Sequence, residues 1–280
     1  MPRRRTTTRS AKRRFKWGSL KKLLPAARTR KRWWKNFKRA PPQAQFVVTA
    51  LVLMATWLAV NWVYQVARKP TELFFPVSGT LFKTPAETWA AYGSTFRRHA
   101  TATVTPELLA ALAQVEGSGN PIARTYWRWS LTHKPFEVYR PASSAVGMYQ
   151  LTDGTFEEAR RLCIHRNVVV DDGPWNNLDS CWFNGLYSRV VPTNAVEMTS
   201  AYLDRKVSII SARYPKQTTL QQRQILATLT HLCGAGAGER YARRGYRLLP
   251  DQRCGDHSAA AYISRVTSMQ RQFLRLSADD

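Results

Sequence analysis

Apolar residues recur at helical spacing through the second half of the chain, most clearly in the segment "PELLAALAQVE". Successive helical residues are about 100° apart, so Leu108, Leu112 and Val115 share one arc. Thr105 is a residue type that caps helix N-termini, and Pro106 suits the first helical position. The pattern therefore predicts a helix that begins at Pro106 and buries one face.

Two more helix starts are indicated by capping boxes, in which a threonine is followed three residues later by Glu or Gln. Thr155 with Glu158 is expected to open "FEEARRLC", and Thr219 with Gln222 to open "LQQRQILATLTHL". Apolar periodicity predicts further helices over residues 196–213 and 258–276.

Strand patterns are few, and only "FEVYR", residues 136–140, looks extended. We therefore predict a predominantly α-helical α+β domain over residues 105–280, which is long enough to bury a sizeable core. Residues 68–104 are rich in Pro near their start and are predicted to be a stalk, with a short amphipathic helix near Trp89.

An apolar segment precedes this region. Residues 46–67, "FVVTALVLMATWLAVNWVYQVA", carry no charge and include only two strongly polar residues, Asn61 and Gln65. About 20 apolar residues suffice to cross a bilayer as a helix, so this segment is predicted to be transmembrane. A signal peptide fits less well, because about 45 residues precede the apolar run. A buried helix of a soluble fold is the other alternative.

The basic charge is concentrated at the N-terminus. Residues 1–39 hold 17 of the 43 Lys and Arg residues, whereas the chain from Glu72 onward has 24 basic and 18 acidic residues, a balance of +6. The positive-inside rule therefore places the basic arm, residues 1–45, in the cytoplasm and residues 70–280 outside. Contact with anionic lipid accounts for the arm more simply than nucleic-acid binding, the weaker alternative.

The cysteines all lie on the predicted outer side, at Cys163, Cys181, Cys233 and Cys254. An even number confined to an exported region indicates disulfides. Of the three possible connectivities, the two pairs that are local in sequence are favoured. A zinc site is the alternative, because His165, His231 and His257 each stand close to a cysteine, but the spacings are not a standard zinc pattern.

Glu116 is the most informative acidic residue. On a helix that begins at Pro106, it falls within the apolar arc, one turn beyond Leu112, and should point towards the core or a cleft. Desolvation and the negative end of the helix dipole both favour its neutral acid, which can act as a general acid. Taken alone, a structural glutamate at a helix end is the simpler interpretation.

A second motif changes that interpretation. The segment "SSAVGMYQLTDGTF" contains Gly147, which allows a close backbone approach, and Gln150, whose amide both donates and accepts. Together with "EGSGNP" at Glu116 and "SAYLDRKV" around Tyr202, it resembles the lysozyme-like lytic transglycosylases, the family of the catalytic domain of soluble lytic transglycosylase. The family motifs read roughly E-S-G-x-N-P, G-x-M-Q-[LF]-x-x-x-T and A-Y-L, and here they occur in order.

The resemblance covers about residues 105–275 and implies a lysozyme-like fold. It also implies that Glu116 is a single general acid and base that cleaves peptidoglycan between N-acetylmuramic acid and N-acetylglucosamine with closure of a 1,6-anhydro ring. No metal or organic cofactor is needed. The positions that match or adjoin the family's motifs are predicted to bind substrate: Ser118, Asn120, Gly147, Met148, Tyr149, Gln150, Tyr202 and His231.

Two segments depart from the family pattern. Gly117 replaces the serine that follows the glutamate, and Ser118 stands one residue late. In the segment "THLCGAG", His231 and Leu232 stand where tyrosine and asparagine are expected.

The expected setting is the bacterial inner membrane, with the N-terminus cytoplasmic and the catalytic domain in the periplasm. The expected partners are peptidoglycan strands, anionic lipid and a possible secretion or conjugation complex. A peptidoglycan hydrolase that uses water is one alternative. A non-catalytic peptidoglycan-binding subunit of a cell-envelope machine is another, because a fold does not guarantee activity.

Overall fold

Helices dominate the part of the chain that the structure describes, which in this computed structural model is residues 27–174 and 176–278, without the side chains of Phe75 and Pro76. The described residues fall into two compact units, one up to Val60 and one from Asn61 onward. The α-helices are α1 (Ala27–Arg39), α2 (Pro42–Arg68), α3 (Phe75–Ser78), α4 (Pro85–Arg98), α5 (Pro106–Gly117), α6 (Asp153–Ala159), α7 (Pro192–Arg213), α8 (Leu220–Cys233), α9 (Ala235–Arg243) and α10 (Ala259–Ala278).

Helix α2 contains the predicted apolar segment. Among the described residues it is the one helix that is long and apolar enough to cross a membrane, with a mean hydropathy of 2.0 over its most apolar window. Its apolar side chains up to Val60 are largely exposed, including Phe46, Val52 and Leu53. Exposed apolar surface of this extent is typical of a membrane or protein contact.

The core of the second unit is built around α5. Leu108, Leu109 and Leu112 are fully buried, and α5 packs against α4, α7 and α10. The start of α5 is as predicted, because Thr105 is the N-cap and its side chain accepts a hydrogen bond from the amide of Leu108.

The second predicted capping box is also confirmed, because Thr219 and Gln222 cap α8 reciprocally. The box predicted at Thr155 is wrong. Helix α6 begins at Asp153 and its N-cap is Thr152, whose side chain accepts from the amide of Thr155. The predicted helix therefore starts earlier, and it ends at Ala159.

Short antiparallel hairpins supply the strands: β1 (Trp127–Trp129) with β2 (Tyr139–Pro141), β3 (Leu162–His165) with β4 (Val168–Asp171), and β5 (Arg253–Cys254) with β6 (His257–Ser258). The prediction of few strands holds, but β3 was expected to continue a helix. A run of β-branched residues, "VVV" at positions 168–170, provides its partner strand.

The cysteines form the two disulfides that were favoured from the sequence, Cys163–Cys181 and Cys233–Cys254. The first fastens β3 to the loop that follows β4. The second joins the last residue of α8 to β5. All four sulfur atoms are thereby engaged in covalent bonds rather than free to bind a metal.

The segment predicted as a stalk, residues 68–104, is packed into the second unit. Trp89 and Phe96 of α4 belong to its core and contact each other, and the ring of Trp89 also lies near that of Phe273 in α10. The amphipathic helix predicted near Trp89 is therefore present, but its apolar face is covered by α5 and α10.

Candidate active site

Glu116 lies in the last turn of α5, and its side chain is only 19% exposed. Two residues from other helices converge on one of its oxygen atoms, Oε1. Tyr262 of α10 donates its phenolic hydrogen to Oε1, and Nε2 of His231, in the last turn of α8, lies 3.8 Å from the same atom. Three helices that are distant in sequence thus meet at this carboxyl group.

Burial sets the charge state of both neighbours. Desolvation, the largest effect, lowers the pKa of His231, although Glu116 and a hydrogen bond with the Tyr149 backbone oppose that shift. Desolvation, together with the nearby carboxylate, raises the pKa of Tyr262 well above its usual value. At neutral pH the imidazole and the phenol are therefore both uncharged, so Tyr262 keeps the proton that it donates to Glu116.

The two oxygen atoms of Glu116 consequently have different surroundings. Oε1 accepts from Tyr262 and faces His231, so it is the oxygen that is fixed in place. A protonated carboxyl group can accept through one oxygen and donate through the other. The arrangement leaves Oε2 as the atom that can carry a transferable proton.

The backbone of the second motif lies directly against the end of α5 at Gly117. A Cβ atom at Gly117 would lie 2.8 Å from Cα and 2.9 Å from the carbonyl oxygen of Met148. Such contacts are too short for a side chain when both atoms are backbone. This close approach is the physical reason for glycine where the resembling family has serine.

Gly147 and Gln150 shape the turn that makes this contact. Gly147 has φ of +83°, and a Cβ atom there would lie 2.3 Å from the carbonyl oxygen of Arg189. The amide nitrogen of Gln150 donates to the carbonyl oxygens of Ala123 and Gly147, at 3.1 and 2.9 Å. The backbone approach predicted for Gly147 is therefore present, and Gln150 ties the two motifs together.

A small cleft reaches this group of residues at His231, whereas Glu116 and Tyr262 do not line it. Its volume is about 210 Å³, and His231 lies in its wall. The other lining residues are Gln150, Leu151, Thr152, Thr155, Tyr202, Thr230, Leu232 and Gly234. The structure thus brings together three of the predicted site positions, Gln150, Tyr202 and His231, around one cavity.

Three other predicted substrate-binding residues are placed elsewhere, and this corrects the prediction for their side chains. Met148 and Tyr149 are buried in the core. Asn120 is also buried, where its amide donates to the carbonyl oxygen of Ser78 and its side-chain oxygen accepts from the amide of Ile122. These residues hold the backbone of the two motifs in place rather than line the cleft.

Ser118 caps the end of α5. It adopts the left-handed conformation, with φ of 49°, that commonly closes a helix, and its carbonyl oxygen accepts from the amide of Lys83 at 2.8 Å. The Gln114 side chain donates to the Lys83 carbonyl at 2.9 Å and accepts from Thr88 at 2.7 Å. The chain before α4 therefore stabilises the loop that follows Glu116 through these hydrogen bonds.

Two site residues were not predicted from the sequence. Tyr262 belongs to the apolar pattern of the last helix; a buried phenol needs a hydrogen-bond partner, and this requirement is the signal that could have identified it. Arg189 donates to the carbonyl oxygens of Ser144 and Leu151 and pairs with Asp153 at 2.8 Å, so it holds both ends of the second motif.

Two aspartates that could in principle act as a second acid, Asp153 and Asp171, form ion pairs with arginine. Asp153 pairs with Arg189, and Asp171 pairs with Arg205 at 2.5 Å. The side chains of both aspartates are mostly exposed. Neither has the partly buried setting, with neutral donors, that distinguishes Glu116.

The sequence matches no protein-family model, and a search of curated proteins likewise finds no match.

Proposed function

We propose that the protein is a membrane-anchored peptidoglycan lytic transglycosylase. The observation that carries this proposal is the carboxyl group of Glu116, which lies in the last turn of a buried helix and has one oxygen facing two neutral groups, one of which, His231, lines a cleft. The motif resemblance around Glu116 and Gln150 indicates that the substrate is peptidoglycan. The predominantly helical domain is compatible with the lysozyme-like fold that the resemblance implies.

In this mechanism Glu116 acts first as a general acid and then as a general base. Its Oε2 donates a proton to the oxygen that links N-acetylmuramic acid to N-acetylglucosamine, and the bond from C1 of the muramic acid to that oxygen breaks. The resulting carboxylate takes the proton from the 6-hydroxyl of the same muramic acid while that oxygen bonds to C1. The products are a free 4-hydroxyl and a 1,6-anhydro ring, and no water is consumed.

The neighbours of Glu116 suit both steps. A neutral Tyr262 donor stabilises the carboxylate that forms after proton transfer. His231, which burial keeps neutral, adds no positive charge beside that carboxylate. The substrate's own hydroxyl replaces the second carboxylate of common glycosidases, and this proximity can be worth several kcal/mol.

Helix α2 provides the anchor in this proposal. Its length and apolar surface match a membrane span, and the charge distribution on either side predicts a cytoplasmic arm and a periplasmic domain. The substrate, peptidoglycan, lies in the same compartment as that domain. Disulfides Cys163–Cys181 and Cys233–Cys254 fit an oxidising location.

The full chain in detergent, incubated with purified peptidoglycan, tests the proposal by mass spectrometry. We expect anhydro-muropeptides from the native protein and a loss of about 10²–10⁴-fold in their rate of release with Glu116→Gln, the range typical of general acid catalysis. Glu107→Gln, the same change in the first turn of the same helix, should retain activity.

The alternatives give different results. Products with reducing ends would identify a hydrolase that uses water. Binding without cleavage by the folded native protein would identify a non-catalytic subunit, and it would refute the proposed activity.

A further inference from the structure

The two polar residues of the apolar helix, Asn61 and Gln65, belong to the second unit and are bonded to other residues of that unit. Asn61 donates its side-chain amide to the carbonyl oxygen of Tyr139 at 2.7 Å, and Gln65 donates to that of Phe136 at 2.5 Å. Both side chains are buried. Polar side chains in an apolar helix are costly unless they are bonded, so these contacts explain why Asn61 and Gln65 occur there.

Several neighbouring contacts fasten the same surface of α2 to the segment of residues 126–141, which we call the aromatic hairpin. The rings of Tyr64 and Phe136 lie 5.4 Å apart, and Arg68 pairs with Glu137 at 3.1 Å. The indole of Trp127, in β1, donates to the buried carboxylate of Glu72 at 2.9 Å. The aromatic hairpin is therefore fixed to the last turns of α2 and to the chain that follows.

The length of α2 determines how many of its last turns a membrane span must include. Residues 46–60 make about 22 Å of helix at 1.5 Å per residue, which is less than the roughly 30 Å of a bilayer core. A span therefore has to include the turns from Asn61 to about Val66. The hairpin that is bonded to those turns must then lie at the outer edge of the bilayer.

The exposed side chains of the aromatic hairpin suit that location. Tyr126 is 70% exposed, Trp129 is 66% exposed, and Leu131 is fully exposed. Tryptophan and tyrosine are enriched at membrane interfaces, where an apolar ring and a polar edge are both accommodated. The basic residues of the hairpin are Arg128, Lys134 and Arg140.

Acidic residues balance this charge only in part. Glu137 is the one acidic residue in the sequence of the hairpin, and it pairs with Arg68, Lys134 and Arg140. The hairpin thus keeps a net positive charge beside its exposed aromatic and apolar side chains. Long basic side chains can keep their heads in the headgroup layer while their stems lie along apolar surface.

We propose that the aromatic hairpin is a second membrane contact, which inserts Trp129 and Leu131 into the outer headgroup region of the bilayer that α2 spans and binds anionic phospholipid there. This inference rests on the membrane anchoring included in the proposed function but not on the proposed catalysis.

An environment-sensitive fluorophore at the hairpin tip tests this directly. All four cysteines are in disulfides, so Leu131→Cys adds the one reactive thiol for a nitrobenzoxadiazole label. The full chain is placed in vesicles of phosphatidylethanolamine and phosphatidylglycerol that contain spin-labelled lipid. We expect at least twofold quenching and a blue-shifted emission.

The matched control is Leu178→Cys, which labels a similarly exposed leucine outside the hairpin and should be quenched little. Quenching should fall in vesicles of phosphatidylcholine alone.

Resistance of the chain to an alkaline carbonate wash measures anchoring separately. A chain that resists the wash but shows no quenching at position 131 overturns the hairpin contact alone, and quenching that is equal in neutral vesicles overturns the role of anionic lipid. A chain that the wash removes overturns both anchoring and the hairpin contact.

Discussion

At the scale of single residues, the carboxyl group of Glu116 gains its chemical character from side chains that arrive from other helices. Tyr262 and His231 both face Oε1, and burial keeps both of them neutral at pH 7. The sequence predicts that Glu116 points inward because it continues the apolar arc of α5. It does not predict the phenol, because Tyr262 lies 146 residues later in a helix with an ordinary apolar face.

Removal of the phenolic hydroxyl tests this arrangement. Tyr262→Phe should lower the rate of anhydro-muropeptide release about 10- to 100-fold, because a hydrogen bond to a charged group contributes about 1.5–3 kcal/mol. Substrate binding should change little, since the hydroxyl is bonded to Glu116. The measurement is the initial rate of product release against peptidoglycan concentration.

Tyr187→Phe is the matched control. Tyr187 also donates to a glutamate, Glu197, at 2.8 Å, but in a structural contact away from Glu116. Its loss should reduce the unfolding temperature without reducing the rate of the folded enzyme. If both variants lose rate equally, Tyr262 has a structural role only.

At the scale of secondary-structure elements, the end of α5 and the turn of the second motif are packed backbone against backbone. Gly117 allows the contact with the backbone of Met148, and Gly147 allows the same turn to approach the carbonyl oxygens of Arg189 and Pro121. The sequence shows glycine at both positions, but Gly117 departs from the resembling family, which has serine there. The contact with Met148 reveals that glycine is required in this chain.

A serine at position 117 should therefore be harmful here. Gly117→Ser places a Cβ atom 2.8 Å from the Met148 backbone, and overpacking of this kind costs about 1–3 kcal/mol. The unfolding temperature should fall by roughly 2–4 °C for each kcal/mol. Thermal unfolding of the full chain in detergent, followed by circular dichroism, measures this change.

Gly154→Ser provides the comparison, because a Cβ atom at Gly154 has nothing within 4 Å. That variant should unfold within about 1–2 °C of the native protein, the change expected when a surface substitution costs less than about 0.5 kcal/mol. An unfolding temperature for Gly117→Ser equal to that of Gly154→Ser would contradict the close approach of the two motifs.

At the scale of the whole molecule, the proposed topology follows from charge and apolar length. The arm of residues 1–45 carries 17 basic residues and no acidic residue, and α2 begins within its last residues, at Pro42. Moving such an arm across a membrane is opposed by the positive-inside bias, so the C-terminal domain is expected to cross instead.

Reporter fusions test this topology in a bacterial host. Alkaline phosphatase, which is active only outside the cytoplasm, should be active when it is fused after Asp280 and inactive when it is fused after Ala40, before α2. Green fluorescent protein at the same two positions should give the opposite pattern. Activity of the phosphatase after Ala40 with none after Asp280 would refute the orientation.

Much of the architecture could be predicted from local patterns. The start of α5 at Pro106, the capping box at Thr219 and the sequence-local disulfides depend on residues close together in the chain, and the structure confirms them. The strand Leu162–His165 was missed because its pairing with Val168–Asp171, rather than its own helix-compatible pattern, decides its conformation.

The sequence by itself determined where α5 and α8 begin, which segment is apolar enough to span a membrane, and that Glu116 turns inward. Each of these depends on spacing and composition over a few turns. Only the tertiary structure decided that Tyr262 donates to Glu116, that Asn61 and Gln65 bond to the aromatic hairpin, and that Asn120 is buried. These contacts join residues from 42 to 146 positions apart, and the packing of the helices brings them together.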